Sequence, residues 1–322
     1  MRYDLCLAAS LLAIAAPLPA SARTFAQTFS MPPIAVVDPA AGGVRVTADG
    51  LVANWYPAAG AARRPAILLL GGSEGGIGGG AARQAADLVA HGYAVFHLAY
   101  FGAPGLPPAL ADVPLGYFDR ALAWLRRQPG VAPDRIALVG ASKGAEAALL
   151  IAARDPRIRA VVAGSPSAAV WPGIDVAARA ARSSWTSDGE PLAYLPYGDG
   201  ATSMFDGYRT GLATLPAHPD AAIPVARIRA TVLLVCGRAD TLWPSCPMAE
   251  IVAHRRRART TVLAYADAGH AVFGPPVAID APGYSSLGTF GGSPAGNDAA
   301  RADAWPKILA FLATTLGGAR GR

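Results

Sequence analysis

"RIALVGASKGAEAALLIAARD", Arg135 to Asp155, decides how the rest of the chain reads. Ile136 to Val139 is an unbroken apolar run of strand length, and Gly144 to Ala153 is an alanine- and leucine-rich run of helix length. Between them stands Gly140-Ala141-Ser142-Lys143-Gly144, a G-x-S-x-G pentapeptide. Alone it recurs by chance, but a strand leading in and a helix leading out are the setting of a nucleophile elbow. Glycines are needed there because strand and helix crowd a tight turn that lifts the serine hydroxyl above the sheet. Ser142 is the candidate nucleophile.

The same alternation runs outward in both directions. "AILLLGG", "YAVFHLAYFG", "IRAVVAGSPS", "ATVLLVCG" and "TTVLAYADAG" have strand composition. "AARQAADLVAHG", "PLGYFDRALAWLRRQP", "CPMAEIVAHRRRA" and a closing "DAWPKILAFLATTL" have helical spacing. Apolar strands alternating with helices predict an α/β fold, a mostly parallel central sheet with helices on both faces. The segment from Arg23 to Arg64 reads as a loose entry. Residues 65–316 read as the catalytic domain and 317–322 as a flexible tail. Two stretches break the rhythm. Residues 171–228 are aromatic- and proline-rich and read as an inserted cap, because long segments of this kind in compact domains are usually functional. Gly274 to Asn297 reads as a long loop beside the last strand.

An elbow serine needs a base and an acid, in the chain order Ser, Asp or Glu, His. Asp240 follows the strand "TVLLVCG" and His270 follows "TTVLAYA", so both fall at the same sheet edge as Ser142. Asp267, close to His270, is the alternative acid. Of the other histidines, His91 ends a helix, His97 lies inside a strand, His254 sits at a basic helix terminus, and His218 lies in the cap region. Lys143 contributes only its backbone, its side chain being expected to point outward.

"GGSEGGIGGG", Gly71 to Gly80, follows the first strand. Gly76, Gly78 and Ala81 satisfy the G-x-G-x-x-G/A spacing of a dinucleotide fingerprint, which also requires an acidic residue at the end of the next strand. That strand ends in Tyr100 and Phe101, and no G-K-[ST] ending marks a P-loop. The glycines read instead as an oxyanion loop. Its donor is the amide of Ser73, with Gly72 and Glu74 as alternatives, and the second donor is the amide of Lys143.

Of 322 residues, 52% are hydrophobic and 16% charged, which supports a sizeable core and excludes a largely disordered chain. The net charge of +6 is scattered, apart from Arg255, Arg256, Arg257 and Arg259, and no aromatic-plus-basic motif points to nucleic acid. That cluster reads as a solvated face at a helix C-terminus, the alternative being a phosphate contact. Residues 1–22 combine Arg2, an apolar run from Leu5 to Ala16 and the triplet Ala20-Ser21-Ala22. The run is too short to span a bilayer, so a secretory signal cleaved near Ala22 is expected, with the protein periplasmic or secreted. Beyond it remain Cys236 and Cys246, which either bridge or stay free as small buried hydrophobes. No metal-ligand cluster is visible, and triad chemistry calls for no cofactor.

Six segments carry a family resemblance in order: "FGAPGLPPALADVPLGYFDRALAWL", "LVGASKGAEAALLIA", "SSWTSDGEPLAYLPY", "GRADTLWPS", "AGHAVF" and "GGSPAGNDAARADAWPKILAFL". Together they resemble the C-terminal domain shared by acyl-CoA thioesterases and bile acid-CoA:amino acid N-acyltransferase. The resemblance implies an α/β-hydrolase fold, with Ser142, Asp240 and His270 as nucleophile, acid and base, acting on a small-molecule acyl ester or thioester. Ala226 stands where the family motif "IPVE" has its carboxylate, and Ser142 where the transferases have cysteine. A serine acyl-enzyme is normally resolved by water, so hydrolysis is expected. Trp185, Tyr194 and Tyr197 of the cap are the expected acyl contacts. A general esterase, a dienelactone-hydrolase-like enzyme and a non-catalytic binding protein on the same scaffold are the alternatives.

Overall fold

The computed structural model describes residues 36–60, 62–74, 76–175, 178, 180–256 and 260–317. The expected signal at 1–22, the first part of the entry segment and residues 318–322 of the tail lie outside the described residues, as do Arg257 and Arg259.

Among the described residues the first elements are β1 (Val44–Val46), β2 (Val52–Tyr56) and β3 (Arg64–Leu70), then α1 (Gly79–Ala90) and β4 (Ala94–Ala99). Next come β5 (Val113–Pro114), α2 (Leu115–Arg126), β6 (Val131–Ala141), α3 (Lys143–Arg154) and β7 (Ala160–Gly164). After β8 (Trp185–Ser187), β9 (Glu190–Pro191) and α4 (Met204–Ala213), it closes with β10 (Thr231–Gly237), α5 (Ser245–Arg256), β11 (Thr260–Tyr265) and α6 (Pro294–Leu316). Among the described residues eight strands form the main sheet, in the order β1-β2-β4-β3-β6-β7-β10-β11. In this sheet β2 pairs antiparallel with both β1 and β4, and β4, β3, β6, β7, β10 and β11 run parallel.

Strands β3, β6, β7 and β10 are apolar on both faces because both are covered. On one face Leu68, Leu138, Val161 and Leu234 pack beneath α2, α3 and α5; on the other Ile67, Val139, Val162 and Val235 pack beneath α1 and α6. None of the described helices is long and apolar enough to cross a membrane.

Two expectations need correction. The entry segment is not all loose: Val44–Val46 and Val52–Tyr56 add two strands, the second pairing antiparallel with β4. Helix α6 starts at Pro294, not near Asp303, because Ser293 caps it by accepting from the Gly296 N–H and Pro294 suits the first helical position. Asn297, read as the end of a loop, therefore lies in the first turn of a helix.

His97 is fully buried in β4, and neither ring nitrogen has a hydrogen-bond partner among the described residues. Burial without a partner disfavours the imidazolium and pulls the pKa from 6.5 down to about 3. The unfolded chain therefore binds a proton that the native state refuses, so stability is full above pH 6.5 and falls as pH drops toward about 3. The slope is about 1.4 kcal/mol per pH unit, so wild type should lose about 2 kcal/mol more than His97→Leu between about pH 7.5 and 5. Urea unfolding at the two pH values checks this; equal losses would contradict it.

Candidate active site

Ser142 joins β6 to α3 with φ 55° and ψ −123°, a positive φ that a non-glycine residue adopts only when the surroundings over-determine it. The surroundings are backbone. A Cβ on Gly140 would lie 2.3 Å from the Gly144 carbonyl oxygen, and one on Gly144 would lie 2.2 Å from the Gly71 oxygen. The G-x-S-x-G glycines thus let the elbow close and let α3 abut the glycine loop. A Cβ on Gly72 would lie 3.2 Å from the Ser142 Cβ, so this loop borders Ser142 directly.

The loop is held from below. Tyr100, buried at the end of β4, donates its hydroxyl to the carbonyl oxygens of Gly71 at 2.8 Å and Gly72 at 3.1 Å. Burial, reinforced by the negative charges of Glu74 and Glu146, holds its pKa well above the usual phenol value, so it stays a donor. With the carbonyls turned toward Tyr100, Ser73 and Glu74 follow at the surface, Ser73 half-buried and Glu74 exposed. Lys143 is the first residue of α3, where a backbone N–H has no partner within the helix.

Asp240 and His270 meet. His270 Nδ1 donates to Asp240 Oδ2 at 2.9 Å, while Asp240 Oδ1 accepts from the N–H groups of Leu242 and Trp243 at 2.9 and 3.2 Å. The Asp240 side chain is buried and that of His270 is 12% exposed, leaving an edge of the imidazole open. Asp267 is exposed. Ser142 and His270 lie at the same sheet edge: Ser142 N–H donates to the Gly164 oxygen, and the next residue, Ser165, donates its hydroxyl to the His270 oxygen at 2.8 Å. Cys236, at the end of β10, and Cys246, in the first turn of α5, form a disulfide with Cα atoms 5.1 Å apart. The bridged segment carries Asp240 between its ends.

Lys143 does not point outward. Its side chain is 2% exposed, and Nζ donates to both carboxylate oxygens of Glu146 at 2.8 Å. Glu146 Oε1 also accepts from Trp185 Nε1 at 2.7 Å and from the Trp171 N–H at 3.3 Å. The cause is the burial of the whole of α3 from Lys143 to Ala152, which leaves a cation at its start no solvent to reach. Burial draws the ammonium downward and the carboxyl upward in pKa, and each opposes the other's shift.

The expected acyl contacts separate. Trp185 is fully buried against Phe118 and Tyr100, so it is a foundation rather than an open wall. Tyr194 donates to the Ala181 oxygen at 3.2 Å. Tyr197 stacks on Trp171 and hydrogen-bonds Tyr208, whose ring stands 5.0 Å away. From Tyr208 the ring series continues to Trp243 at 5.5 Å and on to His270 at 5.6 Å, and the Phe290 ring stands 6.2 Å from that of His270. Tyr208, Trp243 and Phe290 are the residues sequence reasoning passed over. For Trp243 a signal existed, its place three residues after Asp240. His218 is exposed and bonds the Thr214 oxygen. Arg256 is not part of a solvated face, since it donates to the carbonyls of Ile228 and Ala230 and to Thr260.

A parallel sheet in this strand order, with a strained serine elbow after its fifth strand in sequence among those of the main sheet, defines an α/β hydrolase. Residues 113–318 match the family model "BAAT / Acyl-CoA thioester hydrolase C terminal", and the chain belongs to that family. It is 30% identical over 269 residues to acyl-coenzyme A thioesterase 6 of Mus musculus, covering 79% of this chain and 60% of that protein. Acyl-coenzyme A thioesterase 1 of Rattus norvegicus is 30% identical over 258 residues, 76% of this chain and 59% of its own length. The chain therefore spans about 60% of the length of the relatives it matches. Among solved structures, the α/β hydrolase GrgF from Penicillium sp. sh18 superposes with a TM-score of 0.54 at 19% identity, over 85% of this chain and 98% of that one.

Proposed function

We propose that this protein is a serine hydrolase that cleaves an acyl ester or an acyl-CoA-type thioester through an acyl-enzyme on Ser142. The observation that carries the proposal is the 2.9 Å bond between Asp240 and His270 at the sheet edge that also bears the strained Ser142. His270, held in one tautomer by Asp240, takes the Ser142 proton through Nε2 as the oxygen attacks the carbonyl carbon. The oxyanion is received by the amides of Lys143 and of the Gly72–Glu74 loop, Ser73 first among them. Each such donor contributes about 3 kcal/mol, or 10²- to 10³-fold in rate. His270 then protonates the leaving alcohol or thiol, and a water deprotonated by His270 releases the acid and frees Ser142.

Residues 171–228 serve as the cap, with half-buried Tyr197 as the acyl contact, backed by the buried rings of Tyr208 and Trp243. Support for the acyl-thioester substrate comes from the family. A second reading, an exported oxyester hydrolase, is favoured by the secretory signal proposed for residues 1–22 and by the Cys236–Cys246 bridge, which suits an oxidising compartment. Acyl-CoAs and p-nitrophenyl esters of increasing chain length separate the two. A kcat/KM preference for thioesters at matched chain length supports the first reading, and a preference for oxyesters supports the second. Turnover of neither class would contradict both.

A further inference from the structure

We propose that Asn297 is the positioning residue that brings Asp240 and His270 together, an inference that rests on their assignment as acid and base. Asn297 lies in the first turn of α6 and is fully buried. Its carboxamide works in both directions. Oδ1 accepts from the Gly269 N–H at 2.9 Å, and Nδ2 donates to the carbonyl oxygens of Gly291 and Ser293, each at 3.0 Å. Gly269 precedes His270, and Gly291 forms an antiparallel bridge with Asp240.

The segment Phe290–Gly292 is a template for both loops. The Phe290 oxygen accepts from the N–H groups of His270 at 3.0 Å and Thr241 at 3.2 Å, and Gly292 bridges Ala268. These backbones touch with no side chain between them. A Cβ on Gly269 would fall 2.0 Å from the Gly291 oxygen, and one on Gly291 would fall 1.9 Å from the Ala239 oxygen. Asn297 is the side chain that ties the template to the His270 loop. One turn further along α6, buried Arg301 donates to the oxygens of Ala271 and Pro275 and holds the far side of that loop. Asparagine suits the place because it offers one acceptor and two donors on a short, flat group. Aspartate lacks the donors and leucine lacks all three groups.

Catalysis is sensitive to such placement, a misplacement of about 1 Å costing about 10²-fold. The test compares Asn297→Asp and Asn297→Leu with wild type in the full chain, on whichever ester or thioester wild type turns over. Folding is checked by circular dichroism. The expected result for the folded variants is a fall in kcat of about 10²-fold, larger for leucine than for aspartate, with KM changed less than about threefold. The downfield proton resonance of the His270–Asp240 hydrogen bond should weaken or vanish in parallel. A folded variant with wild-type kcat and an intact resonance overturns the proposal. So does loss of fold in both variants, which would make Asn297 a structural residue. Ser142→Ala in the same assay separates the premises. If it matches wild type, the Ser142 mechanism has failed; if it is inactive while the folded Asn297 variants are fully active, only the positioning role has failed.

Discussion

Ser142→Ala is expected to lower kcat by at least about 10⁴-fold while leaving KM within about threefold. The asymmetry follows from the geometry. Removing the hydroxyl abolishes the covalent path but leaves untouched the glycine loop, held by Tyr100, and the ring series from Tyr197 to Trp243. In the proposed mechanism these elements bind and polarise the substrate without Ser142, so some rate above water is expected to remain. Steady-state kinetics checks the expectation. Equal kcat in the two proteins would place the chemistry elsewhere.

Lys143→Met is expected to destabilise the fold by about 3–5 kcal/mol, because it leaves the Glu146 carboxylate buried without its cation. Glu146 is fully buried, and its remaining donors are Trp185 Nε1 and the Trp171 N–H. Lys143→Met/Glu146→Leu removes both charges and should recover part of the loss, since replacing a buried pair with apolar groups is often neutral. Recovery is incomplete because Trp185 Nε1 loses its acceptor, at about 1–3 kcal/mol for an unpaired buried donor. Urea unfolding of wild type, both single variants and the double variant measures the coupling. Additive losses would show that the pair does not act as a unit. Lys143 also begins the helix that leaves the elbow, so the single variant should lose activity along with stability.

The elbow and the parallel sheet were legible because their signals are local. Gly140, Ser142 and Gly144 lie within five residues, and unbroken apolar strands mean burial on both faces. The chain order of Ser142, Asp240 and His270 was legible from their places after strands. The orientation of Lys143 was not. A Lys–Glu pair at i,i+3 on a helix ordinarily reads as a solvated surface pair. Here the surrounding run of alanine, leucine and isoleucine, apolar all round α3, was the available sign that even its polar residues are buried. The start of α6 was hidden by Gly296, Asn297 and Asp298, poor helix formers, although Ser293-Pro294 is a start signal. The short β1 and β2 carry too little pattern of their own; β2 is a strand because β4 offers it an edge, and β1 because β2 then offers one in turn. Asn297 has meaning only through Gly269 and Gly291, which fold onto it from different loops.

The most direct test of the central claim is the site of covalent modification. The full chain is treated with a fluorophosphonate, an acyl-transfer mimic that reacts only with an activated serine, and its peptides are mapped by mass. The expected result is one phosphonyl group per chain, on Ser142, and none in Ser142→Ala. Folded protein that takes up no label, or takes it up at another residue, would contradict the assignment of Ser142 as the nucleophile.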